Sequence, residues 1–200
     1  MKNKSKLKPF ETALLLALSA SLLAGAWASA KGGHIASGLV RLHVVAASDE
    51  PAEQAVKLEV RDSVLAYLEP KLEGAGSARE ALALLRGELG GIEAAASSAA
   101  GGREVRVELG EEYYPTREYE GFSLPAGRYN SLRVVLGEGA GRNWWCIVFP
   151  PLCLEAASEE AFAALDGGTR AIISEDSPGV VFKFRVVELW NELLHKLGIE

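Results

Sequence analysis

Apolar and polar positions change their period several times along the 200 residues, and each change marks an element. The stretch from Ala13 to Ala26 is almost wholly apolar and shows no period. Leu39 to Ala46 is apolar and β-branched around Arg41 and His43. It reads as a strand with Leu42, Val44 and Ala46 on one face. Ser48-Asp49-Glu50-Pro51 then opens a helix: a polar cap, and a proline near the first helical position, where its missing N–H costs nothing. Val56, Val60, Val64, Leu68 and Leu72 recur every four residues, so this helix runs to about Leu72 with its apolar stripe inward. Gly74 to Ser77 breaks it.

A second helix starts near Ala78, where Leu82, Leu85, Leu89 and Ile92 carry helical spacing. Gly90-Gly91 weakens it, since each glycine costs about 1 kcal/mol relative to alanine. Ala94 to Gly102 reads as a frayed helix end or loop. From Arg103 the period becomes two: Val105, Val107 and Leu109 alternate with Glu104, Arg106 and Glu108 as a half-exposed strand. Gly110 to Arg128 is a long connection, of a length that is usually functional or contains a hairpin. Ser131 to Leu136 is a strand, Gly137 to Gly141 a turn, and Trp144 to Phe149 a further strand. A short helix at Ala157 to Leu165, a strand at Val180 to Val186 and a terminal amphipathic helix from Val187 to Leu197 complete the pattern. There is no internal repeat. The order β-α-α-β-β-β-α-β-α predicts an α+β fold, with a mainly antiparallel or mixed sheet and helices packed on one face.

The apolar N-terminal stretch acquires meaning from its flanks. Lys2, Lys4, Lys6 and Lys8 form a cationic region before it, and Ala26-Trp27-Ala28 and Ala28-Ser29-Ala30 both offer the small-x-small pattern that a signal peptidase reads. Residues 1–30 are therefore expected to be a signal peptide or a membrane anchor. The apolar core is short against the roughly 20 residues of a spanning helix, and an uncleaved anchor has the same layout. Residues 31–38, small and polar, are expected to be a linker, and residues 39–198 a single domain, long enough to bury a real core.

The net charge is −6, and the leader holds four lysines against one acid, so the domain is more acidic still. Such a surface repels phosphate backbones and anionic lipid. Nucleic acid is not an expected partner, and membrane contact is expected only through the N-terminal segment. Of the two cysteines, Cys146 and Cys153, there are two readings. In an exported protein they can pair across Pro150-Pro151, closing a loop worth roughly 2.5 kcal/mol in chain entropy. Alternatively they are reduced, buried thiols that pack as small hydrophobes.

Four constellations invite a catalytic reading, and none is complete. Gly137-Glu138-Gly139-Ala140-Gly141-Arg142 imitates a phosphate loop but lacks the Lys-Ser/Thr pair and leads into a strand rather than a helix. A nucleophilic Cys146 or Cys153 needs His43 or His195 beside it, and no motif surrounds either thiol. His34, His43 and His195 show no i, i+4 pairing, so neither a metal nor a cofactor is expected. Paired carboxylates are inevitable among so many acids, and no Gly-x-Ser-x-Gly elbow occurs. What stands out is aromatic and polar richness on or beside turns, at Glu112-Tyr113-Tyr114-Pro115-Thr116 and Asn143-Trp144-Trp145. Tyr, Trp and Arg are the residues enriched in protein-binding hot spots. Adjacent Trp144 and Trp145 on one strand point to opposite faces, so one of them belongs to the core.

Three blocks carry a resemblance to a known family. They are Arg41-Leu42-His43-Val44-Val45-Ala46-Ala47-Ser48-Asp49 running into Lys57-Leu58-Glu59-Val60-Arg61-Asp62; Leu124-Pro125-Ala126-Gly127-Arg128-Tyr129 with Leu132-Arg133-Val134-Val135-Leu136-Gly137; and Gly139-Ala140-Gly141-Arg142-Asn143-Trp144-Trp145-Cys146-Ile147-Val148-Phe149-Pro150-Pro151-Leu152-Cys153. Together with Phe182-Lys183-Phe184-Arg185-Val186-Val187-Glu188 they resemble the stage II sporulation protein R family of spore-forming bacteria. One position departs: Ala47 stands where that family usually has Asn.

The resemblance implies a signalling protein rather than an enzyme, with no catalytic residues to carry over. It implies export from the forespore into the space between the two membranes. There such a protein triggers a membrane-embedded aspartic protease of the mother cell, which processes a sigma factor precursor. On that reading Tyr113, Tyr114, Arg117, Arg142, Asn143 and Trp144, in two turns flanking neighbouring strands, are the expected partner-binding residues. The competing place for Trp144 is the core. The alternatives are a secreted cysteine-dependent hydrolase acting on cell wall or peptide, which needs a thiol beside His43, and a small-ligand module, which needs a deep apolar pocket.

Overall fold

The computed structural model describes residues 8–119, 122–151, 193 and 196–198. The helix expected at 157–165, the strand expected at 180–186, most of the terminal helix, His195 and Cys153 lie outside them.

The chain begins with one continuous helix, α1 (Pro9–Ser37). Its stretch Pro9–Trp27 is long and apolar enough to cross a membrane by length and composition, a property shared by leaders and anchors. The segment expected as a polar linker is the end of this helix. Its helical state is explained by Ile35, which is fully buried against Leu39, Tyr114 and Tyr129. Tertiary burial there outweighs the cost of Gly32-Gly33.

A single α+β domain follows. Its strands are β1 (Val40–Val45), β2 (Val105–Tyr114), β5 (Gly127–Leu136) and β6 (Asn143–Phe149), in the order β2-β5-β1-β6. β1 runs parallel to β5 and antiparallel to β6, while β2 is antiparallel to β5, so the sheet is mixed. Between β2 and β5 a small hairpin, β3 (Arg117–Tyr119) with β4 (Phe122–Leu124), occupies the long connection. That connection is shorter than the sequence pattern suggests. β2 continues past Gly110 to Tyr114 because β5 begins at Gly127 and pairs with it along its whole length.

Two helices cover one face. α2 (Pro51–Leu72) starts at its proline, and α3 (Ala78–Ala99) is capped by Ser77, whose Oγ accepts the Glu80 N–H at 3.3 Å. The Glu80 carboxylate in turn accepts the Gly76 N–H at 2.9 Å. α3 does not fray at Ala94. Alanine is the best helix former, and Ala96 and Ala100 are buried in the core beneath it. That core joins Val60, Val64 and Leu68 of α2, Leu85 and Ile92 of α3, and Val40, Leu42, Val44, Leu132, Val134 and Leu136 of the sheet.

The glycines of α3 separate into two kinds. A Cβ on Gly87 or Gly90 meets nothing within 4 Å, whereas one on Gly91 lands on the Tyr67 hydroxyl. That hydroxyl donates to Glu88, which also pairs with Lys71 at 3.0 Å. Gly87→Ala and Gly90→Ala are each expected to stabilise the protein by about 0.5–1 kcal/mol. Gly91→Ala is expected to destabilise it by displacing Tyr67. Urea unfolding midpoints of the three variants check this; equal shifts in all three would contradict the close approach of α2 and α3.

Candidate functional site

β1 is buried along all six residues. Because side chains alternate across a strand, Val40, Leu42 and Val44 face the helices while Arg41 and His43 face the other way. The sheet therefore has a second interior face, and this one is polar. Its floor comes from Arg41 and His43 of β1, Tyr129, Ser131 and Arg133 of β5, Glu112 and Tyr114 of β2, and Asn143, Trp145 and Ile147 of β6, as the strand register dictates.

The polar groups form one connected network. His43 Nδ1 stands 2.9 Å from both carboxylate oxygens of Glu112, and His43 Nε2 stands 2.8 Å from Asn143 Oδ1. Ser131 Oγ donates to Glu112 at 3.0 Å and lies 2.6 Å from the Tyr114 hydroxyl. His43 and Ser131 are only 5% and 2% exposed, so these contacts substitute for lost hydration. Burial alone raises the Glu112 carboxyl. The His43 hydrogen bond and charge, the Ser131 hydroxyl and the Arg133 guanidinium outweigh that and hold it below the ordinary carboxylate value.

Aromatic rings seal the network. Arg41, fully buried, lies 3.8 Å from the Tyr114 ring centroid and 4.9 Å from that of Tyr129. Trp145 sits 5.5 Å from the His43 ring, and the Arg117 guanidinium covers it at 3.8 Å. A shallow depression of about 240 Å³ opens beside the network over Gly110, between Glu108, Glu112 and Arg133.

At the sheet's end the turn Gly137–Arg142 is fastened to the segment between β1 and α2. Gly141 N–H donates to Ala46 O at 2.9 Å, Ala140 N–H to Ala47 O at 3.2 Å, and Arg142 N–H to Asp49 Oδ1 at 2.8 Å. From below, Lys57 Nζ donates to Gln54 Oε1 at 2.7 Å and to Arg142 O at 3.3 Å. Burial is the chief influence pulling the Lys57 ammonium below its ordinary value. The Arg142 and Arg61 charges add to it and Asp49 opposes.

The residues expected to bind a partner are thus distributed over three places. Arg142 is exposed, its guanidinium 3.7 Å from Asp49, and Asn143 is exposed beside it. Tyr113 and Arg117 are both half-buried but on opposite faces: Arg117 lies over Trp145 on the second face, whereas Tyr113, between Glu112 and Tyr114 on β2, takes the helix-side face with Val107 and Leu109. Tyr114 is not a loop residue: it ends β2 with no exposed surface, because its hydroxyl reaches Ser131 and its ring packs edge-on to Tyr129 at 5.9 Å. Trp144 lies on the helix side, half-buried against the core, with the Arg61 guanidinium 5.0 Å away. The geometry joins Asn143 to the His43 network and Arg117 to Trp145, and leaves Trp144 apart. Arg41, Glu112, Ser131 and Lys57 were not among the expected partner-binding residues, and His43 was considered only as the partner of a thiol or a metal. The available signal was a charged residue and a histidine alternating with apolar residues in a strand apolar on both sides.

The arrangement also bears on catalysis. A hydrolytic triad places histidine between nucleophile and acid, where it takes the nucleophile's proton. Here Glu112 stands between Ser131 and His43, and the far nitrogen of His43 faces Asn143. The register pairs Cys146 with Leu42 and Trp145 with His43, so Cys146 and His43 occupy opposite faces of the sheet. Cys146 therefore does not form the thiol-beside-His43 geometry of a cysteine hydrolase; Cys153 lies outside the described residues. Among the described residues, no group of three His, Cys, Asp or Glu side chains is placed to hold a metal ion.

Comparison with known proteins places this architecture. The family model described as stage II sporulation protein R matches residues 36–159, which contain every described strand of the sheet, α2, α3, the polar network and the Gly137–Arg142 turn. Stage II sporulation protein R of Bacillus subtilis (strain 168) is 33% identical over 127 residues, covering 61% of this chain and 57% of that protein. The match spans little more than half the length of that relative. No solved structure matches the chain. The extent of the family match settles the classification: the chain belongs to the stage II sporulation protein R family.

Proposed function

We propose that this protein is an exported sporulation signal that activates a membrane-embedded aspartic protease of the mother cell, so that a sigma factor precursor is processed. Family membership carries the reading. The apolar α1 agrees with a signal or anchor delivering the domain to the intermembrane space, and the Ser131–Glu112–His43 order agrees with a role other than hydrolysis. Cys146 pairs with Cys153 in this proposal, as suits an oxidising compartment; no described cysteine is free. An activator without chemistry of its own acts by differential affinity for the active form of its receptor. Moving that receptor from 1:99 to 99:1 takes about 5.5 kcal/mol of preference. The partner-facing surface is the Arg142–Asn143 end of the sheet, with Arg117 over Trp145 on the polar face; Tyr113, on the helix-side face toward the other end of β2, stands apart from it.

Reconstitution of the protease and its sigma precursor in membranes, with and without this protein, tests the proposal. Processing is expected only when it is present. Arg142→Ala is expected to unfold within about 0.5 kcal/mol of the native protein, as exposed substitutions do, while lowering processing. Tyr114→Ala is expected to lose about 3 kcal/mol of stability instead. Processing that proceeds equally without the protein would end the proposal.

A further inference from the structure

One buried charge has no part in the network around His43. The inward stripe of α2 consists of Lys57, Val60, Val64, Leu68 and Leu72. Four of these are apolar and lie in the helix-side core. The fifth, Lys57, is a lysine only 6% exposed, at the end of the stripe nearest the Gly137–Arg142 turn. Burying an ammonium is costly unless its donors are used, and packing alone at this position is served by Leu or Met. The donors of Lys57 are spent on Gln54 Oε1 and on the backbone carbonyl of Arg142. Gln54 Nε2 donates to Ser48 O at 2.8 Å, which ties the same cluster to the segment after β1.

Arg142 is thereby gripped at both ends of its backbone. Its N–H donates to Asp49 Oδ1 at 2.8 Å, and its carbonyl receives Lys57 Nζ at 3.3 Å and the Ala46 N–H at 3.4 Å. Its side chain is 74% exposed and folds toward Asp49, the guanidinium 3.7 Å from the same Oδ1. The next residue, Asn143, continues into the His43 contact at 2.8 Å. The turn is thus pinned from the helix layer on one side and from the polar face on the other, and it presents the solvent-exposed Arg142–Asp49 pair at the surface.

We propose that Lys57 is a positioning residue: it touches no partner, and it fixes the Arg142–Asn143 turn in the conformation that docks on the receptor. The proposal rests on the reading of that turn as partner-facing. A rigid turn presents its guanidinium without an ordering cost on binding, and a loosened one must be ordered at that moment.

The test uses the full chain with Lys57→Met, which keeps the apolar stem and removes the donors, and Lys57→Arg, which keeps a charged donor. Two readouts are taken. Hydrogen exchange follows the amides of Ala140, Gly141 and Arg142, and reconstituted processing is followed against activator concentration. In the Met variant the three amides are expected to exchange about tenfold faster. The activator concentration for half-maximal processing is expected to rise about tenfold, the worth of one charge-assisted hydrogen bond, with maximal processing unchanged. The Arg variant is expected to restore both. A role confined to filling space predicts the reverse order, with Met tolerated and the larger Arg disruptive, and that result overturns the proposal. Unchanged exchange in the Met variant also overturns it. If exchange quickens while processing is unaffected, the Arg142→Ala variant locates the failure: impaired processing there condemns the role of Lys57, and intact processing condemns the partner-facing reading of the turn. Should the Met variant fail to fold, Lys57→Gln read in the same two ways decides.

Discussion

Gly141→Ala is expected to destabilise the protein by about 3 kcal/mol, at the upper end of what overpacking costs. A Cβ at this position stands 2.5 Å from the carbonyl carbon of Ser48 and 2.9 Å from the Ala46 side chain. The obstacle is backbone, which has no rotamer to escape into. Relief requires the turn to separate from the segment after β1, and that separation breaks the hydrogen bonds from Gly141 and Ala140 to Ala46 and Ala47. Gly110→Ala is the matched control, since a Cβ there meets nothing within 4 Å. Its stability is expected to stay within about 0.5 kcal/mol of native. Urea denaturation of both variants reads the difference directly. A Gly141→Ala protein with a native midpoint would mean that the turn and the β1–α2 segment do not touch.

The second large effect is expected at Glu112. Replacing it with alanine leaves the buried His43 Nδ1 and the Ser131 hydroxyl without their shared acceptor. Breaking one partner of a buried pair costs about 3–5 kcal/mol, and Glu112, whose side chain is 27% exposed, falls toward or below the lower end, at about 2–3 kcal/mol. The effect has a pH signature. A carboxyl held below its ordinary value in the folded chain stabilises the fold above that value, and the contribution is lost as falling pH protonates it. The native protein is therefore expected to lose stability as pH drops below 4.5, the ordinary value for this group. In Glu112→Ala that part of the acid slope is absent, so the two curves converge in acid. Parallel curves from pH 7 to pH 3 would show that Glu112 does not act through its charge.

Much of the helix layer was legible in the sequence because its determinants are local. The four-residue recurrence from Val56 to Leu72, the proline at the start of α2 and the Ser77 cap all lie within a few residues of what they specify. Where the reading fell short, the decisive partner was distant. Ala94 to Ala99 has no apolar stripe of its own beyond alanine, and it is held in α3 by burial of Ala96 on the core. β2 loses its alternation at Gly110 and is continued only by pairing with β5. The candidate site was the least legible part. His43, Glu112, Ser131 and Asn143 come from four different strands, and nothing near His43 in the chain announces that a carboxylate will meet it. Trp144 and Trp145 show the limit from the other side. Alternation correctly separates them onto opposite faces, but only the sheet order shows that both faces are covered.

The position of β1 in the sheet has a consequence for the order of events in folding. β1 is the second strand from the β6 side, and its register joins Val40 to Asn130 and to Phe149. These are long loop closures, made late because their entropy must be met before the contacts reward it. α2 and α3, adjacent in sequence and packed on each other, have no such delay. Ribosomal synthesis delivers β1 before either of its neighbours exists. Until β5 and β6 arrive, a strand that ends up buried on both sides, with Val40, Leu42 and Val44 on its apolar face, has only the α2–α3 pair or a chaperone to shelter that face. This sheet order therefore puts the chain's expected aggregation hazard at the start of the domain, to be felt on refolding at high protein concentration.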